Sequence, residues 1–355
     1  MKKISIIIPV YNAEKYINRC MLSLVRQSLG IGDIEILLVN DASTDNSLQY
    51  LRAWEKEFPD SVGIIKLESN VMQGAARNIA MQYATGEYVA YLDSDDYLVP
   101  DALKLMYEAA KQNDPEIVAY LSEDVSDAWI QMKGDAVLLD NDTESGMEDE
   151  YLIVRDIGQR VQLLFGGMSQ RGCWDKLYRR DFILRHDLKY AEGVFDEEAL
   201  FTIPALMHVK RYYLMNRYLH RYYDNAGGTT GSFSKKTVHL HDNEITCLRM
   251  LDKLKKDGIL KKEPEVTEAV FVHNYFNRSL TCTHPRGLLY NAEGITMLQK
   301  TVHKCFPDYA DNPILMNMRS FPYMRKLLEM KVGENDVAKF YDIVTKWEAI
   351  VGNEA

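Results

Sequence analysis

The stretch Tyr88-Val89-Ala90-Tyr91-Leu92-Asp93-Ser94-Asp95-Asp96 joins a short apolar run to a cluster of carboxylates. The apolar run has the length and composition of a buried strand. Charge at the end of a buried strand is costly unless something compensates it. Divalent cations often do so, because they bind carboxylate oxygens and share them with the phosphate groups of a substrate. The stretch therefore predicts a metal site that holds a diphosphate-bearing substrate.

Outward from this stretch, strand-like and helix-like segments alternate along the N-terminal part of the chain. Strand patterns cover residues 4–10, 34–39, 64–67 and 88–92, and helical patterns cover residues 13–27, 47–57, 74–83 and 100–113. This alternation predicts an α/β fold with a parallel, doubly wound sheet. Ligands of such sheets bind beyond the carboxyl ends of the strands.

Polar residues follow three of these strands and should therefore meet at one edge of the sheet. Asp41 and Asp45 have a plainer interpretation as turn and cap residues, which is favoured for Asp45. Three carboxylates in four positions exceed what helix capping requires, so a functional role is favoured for Asp95. The groups at this edge are Pro9, Tyr11 and Asn12, then Asp41 and Ser43, then Asp93, Ser94 and Asp95.

Composition limits the class of protein. With 355 residues, 46% of them hydrophobic, the chain can bury a large core and is expected to form two domains. The net charge of −10 argues against a general nucleic-acid-binding protein. The 5 cysteines form neither a Cys-x-x-Cys pair nor an even disulfide framework, which favours a reducing cytoplasm.

Taken together, the N-terminal motifs resemble the family 2 glycosyltransferases with the GT-A fold. The resemblance is carried by SIIIPVYN (residues 5–12), VNDASTDNS (39–47), GAARN (74–78) and GEYVAYLDSDD (86–96). It is strong over residues 4–113 and looser over residues 172–232. It implies a Rossmann-like, mixed and mostly parallel sheet followed by a C-terminal helical region.

The resemblance also divides the chain. Residues 1–113 would be the nucleotide-sugar-binding half of the GT-A domain. Residues 114–234 would be the acceptor-binding half, with a Gly-rich loop and with an acidic insertion over residues 122–150 that is expected to be irregular and solvated. A calcium site in the insertion is not favoured, because the spacing of its carboxylates matches no known calcium loop. Residues 235–355 would form the helical region, which is left open as a device for acceptor selection, partner binding or homo-oligomerisation.

For the first half, the resemblance implies a nucleotide sugar donor, most commonly a UDP-sugar, and a divalent cation, Mn²⁺ or Mg²⁺. The cation would act as a Lewis acid on the departing nucleoside diphosphate. Arg77 would lie near the base or the diphosphate, and its plainer alternative is a surface residue of the helix. Asp95 would be the direct metal ligand, and Asp93 a partner of the ribose or of a metal-bound water. The implied nucleotide-binding residues are Pro9, Tyr11, Asn12, Asp41, Arg77, Asp93 and Ser94.

For the second half, the implied general base is a carboxylate. The family's E-D-x-x-F motif corresponds to the stretch that ends at Phe201, which places Glu198 on the base and makes it a departure from aspartate. Glu197 and Asp196 remain alternatives, because a base must reach the acceptor oxygen. The plainer alternative is an acidic first turn of a helix.

Two further segments supply candidate contacts to the acceptor or to phosphate. Trp174 and Lys176 match the family's W-x-K-x-Y block, and Trp174 either stacks against a sugar ring or is a core residue. His220 and Arg221 end a tyrosine-rich strand pattern that precedes the loop at residues 224–234, which we interpret as a lid over the diphosphate. The alternatives are a membrane-facing basic patch and an ordinary half-exposed strand.

The sequence thus predicts a metal-dependent, inverting glycosyltransferase acting on a saccharide or lipid-linked saccharide acceptor. Bacterial surface polysaccharide synthesis is the role that the resemblance implies, in the cytoplasm or at the inner face of the membrane. Two alternatives remain. A phosphatase using Asp93 as nucleophile usually has Thr or Val where this chain has Tyr97. A non-catalytic scaffold that binds a nucleotide sugar or a partner is the other.

Overall fold

A mixed sheet of nine strands forms the centre of the N-terminal part of the molecule. The computed structural model describes residues 2–134, 138–141, 143–168, 172–225, 239–281, 283–284 and 287–351. The strands are β1 (Ile4–Val10), β2 (Ile34–Asn40), β3 (Val62–Lys66), β4 (Tyr88–Tyr91), β5 (Tyr97–Leu98), β6 (Ile117–Val125), β7 (Glu150–Ile153), β8 (Lys176–Arg179) and β9 (Arg211–Tyr223).

The order of the strands brings the predicted polar residues to one edge. It runs β3-β2-β1-β4-β8-β6-β9-β5, and β7 pairs with β9. Strands β3, β2, β1 and β4 are parallel, whereas β8 is antiparallel to both of its neighbours. The mixed sheet with a parallel N-terminal half, expected from the resemblance, is confirmed. Because β1, β2 and β4 are parallel, the residues that follow them share an edge.

Helices cover both faces of the sheet. Successive side chains of β1 alternate between the faces: Ile4, Ile6 and Ile8 belong to one apolar core, and Ile7 belongs to the other. The helices of this part are α1 (Ile17–Val25), α2 (Ser47–Glu57), α3 (Met72–Met81), α4 (Ala102–Asn113), α5 (Asp127–Lys133), α6 (Ile157–Phe165), α7 (Arg180–Arg185) and α8 (Ala199–His208). Helices α1, α2 and α4 pack on the first face, and α3 and α8 on the second.

The described residues from 239 onward are mainly helical and have an apolar core of their own. Met207 of α8 is part of that core, so the two parts pack together. No helix among the described residues is long and apolar enough to span a membrane. The helices are α9 (Asp242–Lys256), α10 (Ile259–Lys262), α11 (Pro264–Val272), α12 (Arg278–Thr281), α13 (Ala292–Cys305), α14 (Pro313–Met316), α15 (Phe321–Glu329) and α16 (Val337–Val351), with a π-helical turn at His273–Asn277.

The acidic insertion is more regular than expected. Strand β6 continues to Val125 because it pairs with the long strand β9, up to Tyr223. Helix α5 follows at once, and the Ser126 hydroxyl caps it by accepting a hydrogen bond from the Trp129 N–H. The expectation of irregular structure from residue 122 is therefore wrong as far as residue 133. Asp135 and Asp142, two of the insertion's carboxylates, lie outside the described residues.

Candidate active site

The ends of β1 and β2 form the first wall of the site. Asn12 adopts a φ of 51°, and its side-chain oxygen accepts a hydrogen bond from the Thr44 N–H at 2.8 Å. One carboxylate oxygen of buried Asp41 accepts from the Val71 N–H at 2.7 Å. Burial raises the pKa of Asp41. Tyr11 is 51% exposed, and Pro9 is half-buried, so these two residues can be reached from solvent.

The three carboxylates after β4 have different surroundings. Asp93 forms an ion pair with Arg77 at 2.6 Å, whereas an oxygen of Asp95 accepts from the Asn225 side-chain amide at 2.8 Å. Asp96 is buried, accepts from the Tyr223 N–H at 2.8 Å and lies 3.1 Å from the His220 ring. Asp96 therefore supports β9. Asp93 and Asp95 are the partly accessible members, as is Ser94 between them.

The electrostatics at Asp95 fit a cation. Burial raises the pKa of Asp95 to about 6, and the neighbouring charges of Asp96 and Asp93 add to the effect. The part of the chain that the structure describes contains no group of three or more His, Cys, Asp or Glu residues arranged to hold a metal ion. Mg²⁺-type sites commonly use one or two carboxylates together with substrate phosphates. Asp93 and Asp95 fit a cation shared with a diphosphate rather than one enclosed by protein.

Arg77 lies at the centre of the site and is fully buried. Besides Asp93, its guanidinium binds Glu197 at 2.5 Å and lies over the Tyr190 ring, 5.2 Å from the ring centroid. The alternative that Arg77 is a surface residue of the helix is therefore wrong. Arg77 connects the carboxylates after β4 to the segment that carries the candidate base.

The three candidate bases precede α8. Glu197 is fully buried against Arg77. Glu198 is half-buried, and an oxygen of its carboxylate accepts a hydrogen bond from the Cys173 thiol at 3.4 Å. Burial raises the pKa of Glu198, and the Arg77 charge opposes the effect. Asp196 is also half-buried. Because Glu197 is enclosed and ion-paired, Glu198 and Asp196 are the better placed to meet an acceptor.

The four predicted contacts to the acceptor or to phosphate, Trp174, Lys176, His220 and Arg221, are buried or half-buried. Lys176 is buried, where its ammonium donates to the Gly172 carbonyl at 2.7 Å and pairs with Asp175. Trp174 is half-buried and stacks on the His220 ring, with 4.9 Å between centroids. This packing is closer to the core alternative than to an open sugar platform.

His220 and Arg221 are also buried, so neither presents an open cation to a phosphate. The His220 ring lies 3.0 Å from the Ser122 hydroxyl, and Arg221 pairs with Glu123 at 3.1 Å. The phosphate-contact prediction for His220 and Arg221 conflicts with this burial, and these two residues cannot contribute to the alternative of a membrane-facing basic patch. Strand β9 is paired on both sides, and that pairing cannot be recognised from the local pattern.

The proposed lid begins at the carboxylate cluster. Asn225 binds Asp95 and also accepts a hydrogen bond from the Tyr16 hydroxyl at 3.2 Å. Residues 226–234 of the predicted lid lie outside the described residues. Asn225 and Cys173 were not singled out from the sequence, and nothing in their local pattern distinguishes them.

A comparison with models of protein families finds a match in the N-terminal half of the chain. Residues 5–162 match the family Glycosyl transferase family 2. Residues 5–162 are thus similar to this family. The resemblance carried by the N-terminal motifs is thereby confirmed.

Three known proteins illustrate what this chain is similar to. A poly(ribitol-phosphate) beta-glucosyltransferase of Bacillus spizizenii is 44% identical over 115 residues, which are 32% of this chain and 18% of the relative. The crystal structure of Staphylococcus aureus TarS 1–349 in complex with UDP-GlcNAc has a TM-score of 0.54 at 20% identity, covering 91% of this chain and 92% of that one. The mannosyltransferase PcManGT of Pyrobaculum calidifontis, in complex with GDP-Man and Mn²⁺, has a TM-score of 0.53 at 13% identity, with 98% and 87% covered. The two structural similarities establish the GT-A fold with its helical region.

Proposed function

We propose that this chain is a metal-dependent, inverting glycosyltransferase that uses a UDP-sugar as donor and a saccharide hydroxyl as acceptor. The observation that carries the proposal is the connection through Arg77. One guanidinium nitrogen, Nη2, pairs with Asp93, next to the candidate metal ligand Asp95, and another, Nη1, pairs with Glu197, next to the candidate base Glu198. This arrangement puts a donor-binding and a base-bearing element side by side, as group transfer requires.

The donor would bind at the edge formed by β1, β2 and β4. Pro9, Tyr11, Asn12 and Asp41 would hold the nucleoside, with Ser94 beside the ribose. A divalent cation at Asp95 and Asp93 would supply Lewis-acid stabilisation of the departing nucleoside diphosphate. The UDP-GlcNAc complex of TarS and the Mn²⁺ complex of PcManGT support the choice of nucleotide and cation.

Proton transfer would be the task of Glu198. Its carboxylate accepts the proton of the acceptor hydroxyl, and the acceptor oxygen then bonds to the anomeric carbon. In the same displacement, the bond between that carbon and the diphosphate oxygen breaks, so the configuration inverts. Removal of a general base typically costs a factor of roughly 10²–10⁴ in rate.

The acceptor and the cellular setting follow by analogy. We propose a cell-surface saccharide polymer, free or lipid-linked, as acceptor. The name of the Bacillus spizizenii relative, a poly(ribitol-phosphate) beta-glucosyltransferase, supports a polymeric acceptor. We place the reaction in the cytoplasm, at or near the inner face of the membrane. We also keep residues 1–113 as the donor half, 114–234 as the acceptor half and 235–355 as the helical region.

The test is thermal unfolding with a panel of nucleotides and nucleotide sugars, each with and without Mn²⁺. We expect UDP or a UDP-sugar to raise Tm only when Mn²⁺ is present, since a ligand at about 100 times its Kd stabilises by about 2.7 kcal/mol. Asp95→Asn should abolish the Mn²⁺-dependent part and leave the ligand-free Tm within a few degrees. Asp60→Asn is the matched control, because Asp60 is exposed and precedes β3.

Two outcomes would contradict the proposal. A metal-dependent UDP shift that persists in Asp95→Asn would remove Asp95 from the site. No shift with any nucleotide, in a protein that melts cooperatively, would favour the partner-binding scaffold. Turnover assays with the nucleotide sugar that binds, in the presence of candidate acceptors, then separate an enzyme from a scaffold that binds nucleotide without transfer.

A further inference from the structure

Helix α9 of the C-terminal region binds the backbone of the segment that carries the candidate bases. We name residues 186–198, between α7 and α8, the base segment. Three polar side chains of α9 contact it. Asp242 accepts a hydrogen bond from the Phe195 N–H at 2.9 Å, Arg249 donates to the Glu192 carbonyl at 2.8 Å, and Lys253 donates to the His186 carbonyl at 2.7 Å.

Asp242 makes the innermost of these contacts. It is only 6% exposed, and the oxygen that accepts from Phe195 also lies 2.9 Å from the His239 ring nitrogen. The His239 ring in turn packs edge-on against Phe195, with centroids 4.0 Å apart. A hydrogen bond from a backbone N–H to a carboxylate is stronger than one between neutral groups. Phe195 is thus held at both its backbone and its ring.

The opposite side of the base segment is held by α3. Asn78 accepts from the Tyr190 N–H at 2.9 Å and donates to the Tyr190 carbonyl at 3.0 Å. The segment then closes on itself through a hydrogen bond from the Ala191 N–H to the Glu197 carbonyl at 3.2 Å. The backbone between Tyr190 and Glu198 is therefore hydrogen-bonded on one side to α3 and on the other side to α9.

Placement of this segment matters because a general base acts over hydrogen-bond distance. A displacement of about 1 Å can cost about 100-fold in rate. We propose that Asp242 is a positioning residue for Glu198, so that the helical region takes part in catalysis through α9. This inference rests on the proposed glycosyl transfer. Arg249 is a second positioning residue of the base segment, through its exposed hydrogen bond to the Glu192 carbonyl.

The experiment compares Asp242→Ala, Asp242→Asn and Arg249→Met in the full chain. Lys255→Met is the matched control, because Lys255 is an exposed cation of the same helix, 3.8 Å from Asp252. The measurements are kcat and KM for transfer, the Kd and stoichiometry of UDP with Mn²⁺, and amide hydrogen exchange over residues 192–198.

For Asp242→Ala we expect kcat to fall at least tenfold per UDP-binding site, with the UDP Kd within twofold of the parent and faster exchange at Phe195. Asp242→Asn should recover most of kcat, because its amide oxygen can still accept from Phe195. Arg249→Met should lower kcat two- to tenfold. It carries the test if Asp242→Ala does not fold. Lys255→Met should stay within twofold of the parent.

A kcat within twofold of the parent in both Asp242→Ala and Arg249→Met would overturn the inference. So would a loss of turnover in Arg249→Met matched by an equal loss of UDP-binding sites, since that pattern reports unfolding and not misplacement of the base segment. A parent chain that binds UDP but transfers no sugar would instead refute the proposed function. Hydrogen exchange would then still decide whether Asp242 holds Phe195: unchanged exchange in Asp242→Ala overturns the contact, and faster exchange supports it.

Discussion

At the scale of single residues, Glu198 and Asp196 are the two half-buried carboxylates before α8 that can serve as base. We expect Glu198→Gln to lower kcat by about 10²–10⁴, because the amide cannot accept the acceptor proton. The UDP Kd should stay unchanged. Steady-state kinetics and calorimetric UDP binding check both expectations. The Cys173 thiol, which donates to Glu198, can still donate to the amide oxygen of the variant, so the local packing is retained.

Asp196→Asn is the matched comparison for Glu198→Gln, with an expected loss below tenfold. If Asp196→Asn is the inactive variant and Glu198→Gln is active, the alignment of the base motif is shifted by two positions. Glu198→Asp is informative as well, because it restores the residue that is usual in the family. The shorter side chain moves the carboxylate by about one bond length, so a reduced but measurable kcat is expected.

Arg77 is predicted to be more important for stability than for donor contact. Arg77→Met leaves the buried carboxylate of Glu197 without its ion-pair partner, and breaking a buried pair in this way costs about 3–5 kcal/mol. Urea unfolding should show this loss. The double variant Arg77→Met/Glu197→Gln should recover part of it, because the uncompensated buried charge is gone.

Arg52→Met, an exposed arginine of α2, is the control for the Arg77 variant and should unfold like the parent. A different result would support the role that the resemblance implied for Arg77, a contact to the base or the diphosphate of the donor. In that case Arg77→Met would have parental stability and weaker UDP binding, as befits a phosphate contact.

At the scale of elements, the close approach of α3 to the base segment depends on Gly74. A Cβ at this position would lie 2.5 Å from the Ala191 carbonyl oxygen and 2.8 Å from the Glu197 side chain. Gly74→Ala should therefore push the base segment outward. Overpacking of this kind costs about 1–3 kcal/mol. We expect a lower free energy of unfolding together with a reduced kcat, measured by urea unfolding and by transfer assays.

Gly32→Ala is the control, since a Cβ there would meet nothing within 4 Å. It should be neutral in both assays. A Gly74→Ala variant with parental kcat and stability would show that α3 and the base segment can separate without consequence. The close packing would then not position Glu198.

At the scale of the whole molecule, the sheet and the helical region share an apolar core. Met207 is buried in that core, and Leu200 and Phe165 pack against it. A chain ending at residue 238 would expose these side chains, each of which contributes about 1.5–3 kcal/mol when fully buried. We expect the shortened chain to lose cooperative melting and UDP binding, as measured by calorimetry. Cooperative melting with retained UDP binding would show that the N-terminal part folds alone.

Much of the fold could be predicted from the sequence because its signals are local. Strand β1 and the helices α2 and α4 were predicted to within two residues at either end, since apolar periodicity and turn residues lie within each segment. The edge shared by Asp41 and Asp95 was predicted as well, because strands in parallel order end on the same side.

The buried partners could not be predicted, because they come from distant parts of the chain. Arg77 and Glu197 are 120 positions apart, and His220 meets Ser122 across 98. The sequence alone determined which elements form and at which edge the polar residues collect. The tertiary structure determined which charges are enclosed and which are accessible to solvent. The reason is that burial depends on strand pairing and on helix packing, such as that of α9 on the base segment, and neither leaves a local pattern.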